Sequence, residues 1–399
     1  RIQELDGVII THAHLDHCGR LPILWKGGYR GKIWSTPPTK DLAQLVLEDA
    51  AKIAELNEEG LKPLYHKGDV AQTMGLFETI TYRKWFKLGN NFEARFLDAG
   101  HILGSAMVEL KVKDGEEEKR VVFSGDMGNS PSPLVKEMEV PEKADLVIME
   151  STYGNRLHKP RGEEIDQLWK WSSEIMRERS VMMIASFALE RAQELLFAFD
   201  QIKKKDESLK ELPVFLDSPM AITATDIFKK HRGYLNDEIR QQFKNDDPFD
   251  FGGFKNLEWG RESRKVRDRL DPRVIIAGAG MMSGGRILSH AKRWLGNKKA
   301  MLVITGYQAE GTLGREVQEG AKAVVIDEKP VVINAQVKEI STMSAHADQE
   351  QMLDWLSKIE GVQEVVLVHG EEKGRDGLEE ELKDKMKIER PLWGEEKEF

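Results

Sequence analysis

The chain is poor in cysteine and lacks long apolar runs. Only 1 of its 399 residues is cysteine, which excludes an internal disulfide framework and favours a reducing, cytoplasmic setting. A membrane-spanning helix needs about 18 consecutive apolar residues, and the sequence contains no such run. We therefore expect a protein that does not enter a membrane.

Positive charge is also in deficit. The sequence has 59 Lys and Arg against 68 Asp and Glu, a formal net charge of −9. Affinity for phosphate comes largely from clustered Lys and Arg, so this balance argues mildly against nonspecific nucleic-acid binding. It does not exclude a single nucleic-acid site, because a pair of divalent metals would make one local centre positive inside an acidic protein.

Length and patterning favour two α/β domains. A single hydrophobic core usually stops growing below the size of this chain of 399 residues, so two domains are expected. Several segments share one layout, in which a short apolar strand leads through a polar or glycine-bearing turn into a helical pattern. This alternation is typical of largely parallel sheets. The segments are 7–25, 181–199, 214–231, 273–295 and 364–386.

Two further features shape the expected domain organisation. Segment 105–126 reads as two strands around Asp114 and Gly115, which predicts an antiparallel hairpin. Polar stretches with Pro and Gly at 153–164 and 327–348 mark the candidate seams between domains. If these seams are boundaries, the middle of the chain forms one domain and the two flanks combine into another.

A cluster of histidines follows the first apolar run. Residues 11–19 read THAHLDHCG and hold three of the ten histidines in the chain. Packing alone gives no reason for such a cluster, whereas a metal site does. His12 and His14 are two residues apart, so on an extended segment they point the same way. They could share one ion with His101, which follows the apolar segment ARFLDAG.

The remaining donors fit a second ion. Asp16 and His17 lie at the start of the helix after the first strand, and His369 would complete their side. Asp126 has two oxygens and could bridge both ions. A lone His or Asp at a strand end is more often structural, so the outlying residues gain this role only together with the cluster. Imidazole and carboxylate ligands suit two Zn²⁺, with other divalent ions such as Mn²⁺ as alternatives.

The motifs resemble those of the β-CASP nucleases of the metallo-β-lactamase superfamily. THAHLDH resembles the superfamily signature, with His101 and Asp126 in its third and fourth motifs. The segments ESTYGNR, SAHAD and LVHGE resemble motifs A, B and C, with Glu150, His346 and His369 at their functional positions. The likeness covers nearly the whole chain. It is greatest to the branch with the 73-kDa nuclease subunit of the eukaryotic cleavage and polyadenylation factor and its stand-alone prokaryotic relatives.

The resemblance implies an α/β fold: a metallo-β-lactamase αβ/βα sandwich interrupted by an inserted α/β β-CASP domain. It predicts the first part of the sandwich at 1–154, the β-CASP domain at 155–344 and the C-terminal part of the sandwich at 345–399. The superfamily opens with strands and an aspartate-bearing motif upstream of the histidine cluster. We therefore expect that N-terminal strands precede Arg1 in the complete protein.

The same resemblance implies a metal-dependent ribonuclease, a hydrolase that cuts phosphodiester bonds of single-stranded RNA. RNA-processing members of the family carry histidine at motif C, as this chain does at position 369, whereas DNA-repair members typically carry valine. Asp16 would ligate metal and orient the attacking water, and His346, held by Glu150, would protonate the leaving oxygen. The expected products carry a 5′-phosphate and a 3′-hydroxyl. Endonuclease and 5′-exonuclease modes stay open, and family members often pair, which suggests a homodimer.

Substrate contacts are expected from the inserted domain. A cleft between two domains admits a flexible single strand better than a stiff duplex, which favours single-stranded RNA as the substrate. The glycine-bearing turn at 278–286 could let backbone amides approach a phosphate at a helix N-terminus. Tight packing explains those glycines equally well. Two serines in similar positions after strands resemble family cleft segments. The candidates are Ser186, Ser218, Gly280, Ser283, Gly284 and Gly285.

Several other functions compete with this interpretation. A DNA-directed β-CASP nuclease would use the same centre. A small-molecule hydrolase of the superfamily would not need motifs A to C or a large insertion. A redox diiron relative is disfavoured, because those proteins carry glutamate where His14 stands. An inactive scaffold subunit would have lost ligands, and the Glu150–His346 pair could also serve only to tether domains.

Overall fold

The structure is a computed structural model that describes residues 2–56, 62–115, 117–159 and 162–396. Strands and helices alternate along most of this length, as the sequence pattern predicts for an α/β protein. Within the described residues, none of the helices is both long and apolar enough to cross a membrane.

The strands and helices have the following bounds. The strands are β1 (Gly7–Ile9), β2 (Lys32–Ser35), β3 (Phe77–Thr79), β4 (Phe86–Lys87), β5 (Phe92–Asp98), β6 (Ala106–Asp114), β7 (Glu117–Phe123), β8 (Leu146–Glu150), β9 (Val181–Ala185), β10 (Val214–Asp217), β11 (Phe254–Asn256), β12 (Arg273–Ala277), β13 (Met301–Thr305), β14 (Ala323–Ile326), β15 (Lys329–Val332), β16 (Gln336–Ile340), β17 (Glu364–Val368) and β18 (Lys387–Glu389). The α-helices are α1 (Leu15–Cys18), α2 (Leu21–Lys26), α3 (Pro37–Leu56), α4 (Lys67–Met74), α5 (Glu163–Glu178), α6 (Arg191–Lys205), α7 (Pro219–Lys230), α8 (Asp237–Gln242), α9 (Gly260–Arg267), α10 (Arg286–Trp294), α11 (Leu313–Gln318), α12 (Gln349–Ser357) and α13 (Glu372–Leu382).

The chain divides into two compact units. Unit 1 consists of Arg1–Leu157, Gly233–Asn236 and His346–Phe399, and unit 2 consists of His158–Arg232 and Asp237–Ala345. The sequence-based domain boundaries at 154/155 and 344/345 lie within three residues of the transitions after Leu157 and Ala345, and they stay predictions. The short segment 233–236 belongs to unit 1, because Leu235 pairs with Val135 in an isolated antiparallel bridge.

Unit 1 is built on a parallel sheet and a mixed sheet. The parallel sheet has the order β1-β2-β3, and the mixed sheet has the order β18-β17-β8-β7-β6-β5-β4. The mixed sheet is antiparallel from β4 to β7 and parallel from β7 to β18. β6 and β7 form the predicted hairpin around Gly115, whose φ of 64° lies in the left-handed region that favours glycine.

The core of unit 1 supports the ends of the mixed-sheet strands. Apolar side chains of β5, β7, β8 and β17 pack with α12 and α13, around the buried Trp355 and Met352. Trp355 satisfies its indole N–H by donating to the Glu139 carbonyl oxygen at 2.9 Å. The loops that leave these strands therefore start from a rigid, close-packed base.

Unit 2 is built on a parallel sheet with the order β11-β10-β12-β9-β13-β16. The central strands β9, β12 and β13 are buried along their whole lengths. Their sequences, VMMIA, RVIIA and MLVIT, are almost continuously apolar, as expected of a parallel sheet that helices cover on both faces. The hairpin of β14 and β15 is a separate antiparallel pair.

The close approach of two loops in unit 1 leads to a stability prediction. Gly128 N donates to the Ala99 carbonyl oxygen at 2.8 Å, and a Cβ at position 128 would lie 1.9 Å from the Gly100 carbonyl oxygen. Gly128→Ala should therefore destabilise the protein by roughly 1–3 kcal/mol, measured by urea unfolding.

Gly68 in α4 is the matched control for this substitution. A Cβ added at Gly68 meets nothing within 4 Å, so Gly68→Ala should stabilise the protein by about 0.5 kcal/mol through its lower unfolded-state entropy. Equal effects of the two substitutions would contradict the role given to the loop contact.

Candidate metal centre

The predicted metal ligands and the predicted catalytic pair all belong to unit 1. Most of them lie at or just beyond the end of a strand, whereas Asp16 and His17 lie on α1. β1, β5, β7, β8 and β17 each end at or shortly before one or more of them. Because these strands run into one region, residues far apart in the sequence meet there. The residues are His12, His14, Asp16, His17, His101, Asp126, Glu150, His346 and His369.

The first donor group combines the segment after β1 with the loops after β5 and β7. One donor atom from each member lies within 4.8 Å of the others. The His101 Nε2 and His14 Nδ1 atoms are 3.1 Å apart, and His12 Nε2 lies 3.3 Å from Asp126 Oδ2. The members are His12, His14, His101 and Asp126.

The second donor group contains Asp16, His17 and His369. Asp16 and His17 lie on α1, as expected from the sequence. His17 Nε2 faces His369 Nε2 at 3.3 Å, and His369 Nε2 lies 3.3 Å from Asp16 Oδ2. Asp126 also reaches this group, because its Oδ1 atom lies 3.3 Å from His17 Nε2 and 3.6 Å from His369 Nδ1.

The protonation states of the first donor group suit metal ligands, whereas in the second group the hydrogen bond to Asp16 raises the pKa of His369 to about 9. Burial lowers the pKa of His14 to about 3 and the pKa of His101 well below its usual value. Burial would raise the pKa of Asp126, but the neighbouring His12 holds it well below the usual range. Neutral imidazoles and ionised carboxylates are the forms that coordinate metal.

Unsatisfied atoms provide an independent test of fit. Among the described residues, His12 Nε2 and Asp126 Oδ1 are buried without a hydrogen-bond partner. Buried polar atoms are rarely left in this state, because desolvation without a partner is costly. Paired ring nitrogens facing each other at about 3 Å also need a proton or a cation between them. The donor set therefore fits divalent metal, and its imidazole and carboxylate composition suits zinc.

Glu150 and His346 form a pair beside the donors. Glu150 ends β8, and its Oε2 atom lies 3.1 Å from His346 Nδ1. Its Oε1 atom accepts a hydrogen bond from Met127 N, in the loop that carries Asp126. Burial lowers the pKa of His346, but the Glu150 carboxylate outweighs it and the net pKa is raised. The structure thus brings the expected pair together, and its catalytic role stays a prediction.

Sequence reasoning missed a set of residues that hold the His101 loop. Ser105 Oγ accepts hydrogen bonds from the backbone N–H groups of His101 and Ile102. Tyr82 Oη donates a hydrogen bond to the Ser105 carbonyl oxygen. Asp98 Oδ1 accepts the backbone N–H of Gly100 at 3.0 Å. The only sequence signal for Asp98 is an acidic residue at the end of an apolar strand, and such residues are common.

Thr152 was also missed. Its hydroxyl lies 3.3 Å from His369 Nδ1 and 3.4 Å from the His369 carbonyl oxygen. This contact constrains the imidazole ring, and His369 itself has a φ of 42°, which is unusual for a residue other than glycine. Partners of this kind fix the orientation of metal-ligating histidines. No spacing rule in the sequence marks Thr152.

The buried Asp98 gives a pH prediction. Burial raises the pKa of Asp98 to about 7, so the folded state binds its proton more tightly than the unfolded state between about pH 4 and pH 7. This group therefore lowers stability as pH rises through that window. From pH 5 to pH 8, the free energy of unfolding of Asp98→Asn should rise relative to that of wild type by up to a few kcal/mol. One pKa unit corresponds to about 1.4 kcal/mol.

Asparagine keeps the acceptor for Gly100 N, so the variant isolates the charge. Thermal unfolding of both proteins at pH 5 and pH 8, under identical metal conditions, measures the change. Parallel pH dependences of the two proteins would show that the Asp98 carboxyl does not titrate in this window.

The predicted substrate-binding residues all lie in unit 2. Ser186 is buried, and its hydroxyl donates to the Phe187 carbonyl oxygen. Ser218 caps the N-terminus of α7 by accepting from Ala221 N. Both hydroxyls thus have local structural partners, and contact with substrate stays a prediction for each.

The glycine-bearing turn of unit 2 is shaped by packing. A Cβ at Gly280 would lie 2.6 Å from the Phe187 ring, and one at Gly285 would lie 2.3 Å from the Gly278 carbonyl oxygen. Gly285 also has a φ of 74°. Ser283 is exposed, and Gly284 with Gly285 lines a cavity of about 560 Å³. Phosphate binding by this turn stays a prediction.

Family models match most of the chain. The model described as the metallo-beta-lactamase superfamily matches residues 1–138. The Beta-Casp domain model matches residues 192–317. The model described as the Zn-dependent metallo-hydrolase RNA specificity domain matches residues 330–390. The α/β fold class expected from the sequence, with a metallo-β-lactamase part and a β-CASP part, is confirmed.

Similar proteins agree with these models. A protein of Thermus thermophilus named a ribonuclease is 37% identical over 93% of this chain and 82% of its own length. The transcription termination factor FttA of Methanosarcina mazei is 33% identical over 97% of the chain and 62% of its own length. Subunit 3 of the cleavage and polyadenylation specificity factor of Dictyostelium discoideum is 30% identical over 97% of the chain, which spans 49% of that relative. The chain belongs to the β-CASP ribonuclease family of the metallo-β-lactamase superfamily.

Proposed function

We propose that this protein is a ribonuclease that hydrolyses phosphodiester bonds of single-stranded RNA at a centre for two zinc ions in unit 1. The observation that carries this proposal is the position of Asp126, whose two oxygens face two different donor groups. Support for RNA comes from the match to an RNA specificity model, the relative named a ribonuclease and the histidine at position 369.

The two donor groups would divide the ligands between two ions. His12, His14 and His101 would hold one ion, and Asp16, His17 and His369 would hold the other, with Asp126 shared between them. Once bound, two divalent ions would supply Lewis acidity that activates water and neutralises charge on the phosphate. Zinc is favoured by the imidazole-rich ligand set, and Mn²⁺ is the alternative.

The residues around the centre have separate tasks in hydrolysis. The Asp16 side chain is exposed at the edge of the donor groups. Its partial desolvation would raise its pKa, but the hydrogen bond to His369 and the charges of His17 and His14 together keep the pKa lowered. Its carboxylate would orient the attacking water and accept a proton from it. The water oxygen forms a bond to phosphorus as the bond from phosphorus to the ribose O3′ breaks.

The Glu150–His346 pair would supply the proton for the leaving O3′. The Glu150 carboxylate accepts from His346 Nδ1, and the other ring nitrogen would act as the acid towards substrate. Proton transfer to O3′ leaves a 3′-hydroxyl on one product and a 5′-phosphate on the other. This assignment makes Glu150 a positioning residue and His346 the general acid.

The direct test compares RNA with DNA. End-labelled single-stranded RNA should be cut, matching DNA should be cut much more slowly, and a chelator should abolish cleavage. His346→Asn should lower kcat by about 10²–10⁴-fold through loss of the general acid, while zinc content stays at the wild-type level. Equal or faster cutting of DNA would overturn the assignment of RNA as substrate.

The metal assignment has its own measurement. Mass spectrometry of the zinc-loaded protein should find two ions per chain. His369→Ala removes a donor from one group only and should lower the content towards one, whereas His66→Ala, which changes an exposed histidine paired with Glu55, should leave it at two. Metal content well below two in the wild type would instead support an inactive scaffold.

The proposal also covers the mode of RNA cleavage, the oligomeric state and the cellular location of the protein. Release of mononucleotides only from RNA with a 5′-phosphate would indicate exonuclease action, and internal fragments would indicate endonuclease action. We propose a homodimer from the family resemblance, which light scattering can test. The single cysteine, Cys18, is buried and free, which supports a reducing, cytoplasmic setting.

A further inference from the structure

Arg156 is an exposed cation that is connected to the Glu150–His346 pair through the Tyr153 ring. Its guanidinium carbon lies 4.0 Å from the centre of the Tyr153 ring. The Tyr153 ring in turn meets the His346 ring edge to face, with 6.0 Å between ring centres and an interplanar angle of 86°. Two ring contacts therefore connect the Arg156 side chain to the proposed general acid.

The backbone of this segment is fixed to the element that carries His346. Arg156 N donates to the Tyr153 carbonyl oxygen in a tight turn, and the Arg156 carbonyl oxygen accepts from Gln349 N. The Gln349 side chain also donates to the Gly154 carbonyl oxygen at 2.7 Å. Gln349 is the first residue of α12, which begins shortly after His346. The position of Arg156 relative to His346 is thus held by hydrogen bonds as well as by stacking.

The charge of Arg156 is available to a ligand. Within the described part of the chain, no carboxylate lies within ion-pairing distance of its guanidinium, although most other arginines of unit 1 have one. Stacking uses only the face of the guanidinium. Its N–H groups lie in the plane and stay free to form paired hydrogen bonds with an anion such as phosphate.

We propose that Arg156 binds the RNA phosphate on the 5′ side of the scissile bond. This inference rests on the proposed function, in which His346 protonates the leaving O3′. That oxygen belongs to the nucleotide upstream of the cut, so a cation connected to His346 through Tyr153 would reach the backbone of this nucleotide. Arg156 is then a substrate-positioning residue, since it holds the leaving segment of the strand and does not contact the reacting atoms.

The test measures RNA binding as a function of salt. In a His346→Asn background that binds without cutting, Arg156→Ala should weaken the affinity for a labelled single-stranded RNA about tenfold. The slope of log K against log salt should fall by about one, because one phosphate contact is lost. Arg156→Lys keeps the charge but not the planar fork, so it should keep the slope and lose part of the affinity.

Arg30 provides a matched control. It is also exposed and stacked, with its guanidinium carbon 4.7 Å from the Trp25 ring centre. Arg30 precedes β2, which runs parallel to β1. It therefore lies near the N-terminal ends of these strands, whereas the histidine cluster follows the C-terminal end of β1. Arg30→Ala should leave both the affinity and the salt slope unchanged.

Cleavage kinetics give a second readout in the otherwise wild-type protein. Arg156→Ala should raise KM for RNA about tenfold with a smaller change in kcat, and zinc content should stay at two ions per chain. A wild-type salt slope and KM in Arg156→Ala would overturn the inference while leaving the ribonuclease proposal intact. If the wild type neither binds nor cuts RNA, the proposed function fails and the inference fails with it.

Discussion

The candidate site in unit 1 depends on the free-energy cost of burying the Asp126 carboxylate among histidine side chains. Asp126 is buried, its pKa is held low, and its Oδ1 atom has no hydrogen-bond partner among the described residues. A buried charge is tolerated only when other charges or a metal compensate it. Burial holds His14 and His101 neutral, so with no ion bound only His346 and His369, whose pKa values are raised, balance this charge as cations. A divalent metal at the donor groups would compensate the Asp126 carboxylate directly, so the burial of this carboxylate favours a metal centre.

The scaffold matches this requirement by fixing the donor loops from several directions. The close contact of Gly128 with the Ala99–Gly100 backbone joins the loops after β5 and β7. Glu150 joins β8 to Met127 and to His346. These contacts set donor positions before any ligand arrives, and such preorganisation lowers the cost of binding metal and of reaching the transition state. The hydrogen bonds that hold the donor loops in place therefore also set the positions of the side chains that would bind metal.

A net-acidic protein can still act on a polyanion if positive charge is local. The formal charge of −9 describes the whole surface, whereas the donor groups and Arg156 concern a single region of unit 1. Metal at the donor groups, together with an arginine that has no carboxylate partner among the described residues, would oppose the overall negative charge where phosphate approaches. This separation of local from overall charge explains why composition is a poor guide to the substrate.

The sequence alone determined the residue types of the candidate site and the strand ends that carry them, because period-2 and period-3.6 patterns and polar residues after apolar runs are local signals. It also indicated the inserted middle segment and the β6–β7 hairpin. Tertiary structure alone decided which atoms meet: both oxygens of Asp126, the Thr152 contact with His369, the Asp98 and Ser105 bonds to the His101 loop, and the stacking of Arg156 on Tyr153. It likewise placed residues 233–236 in unit 1. These contacts join residues that are distant in sequence or ordinary in type, and no spacing rule records a distance that only packing creates.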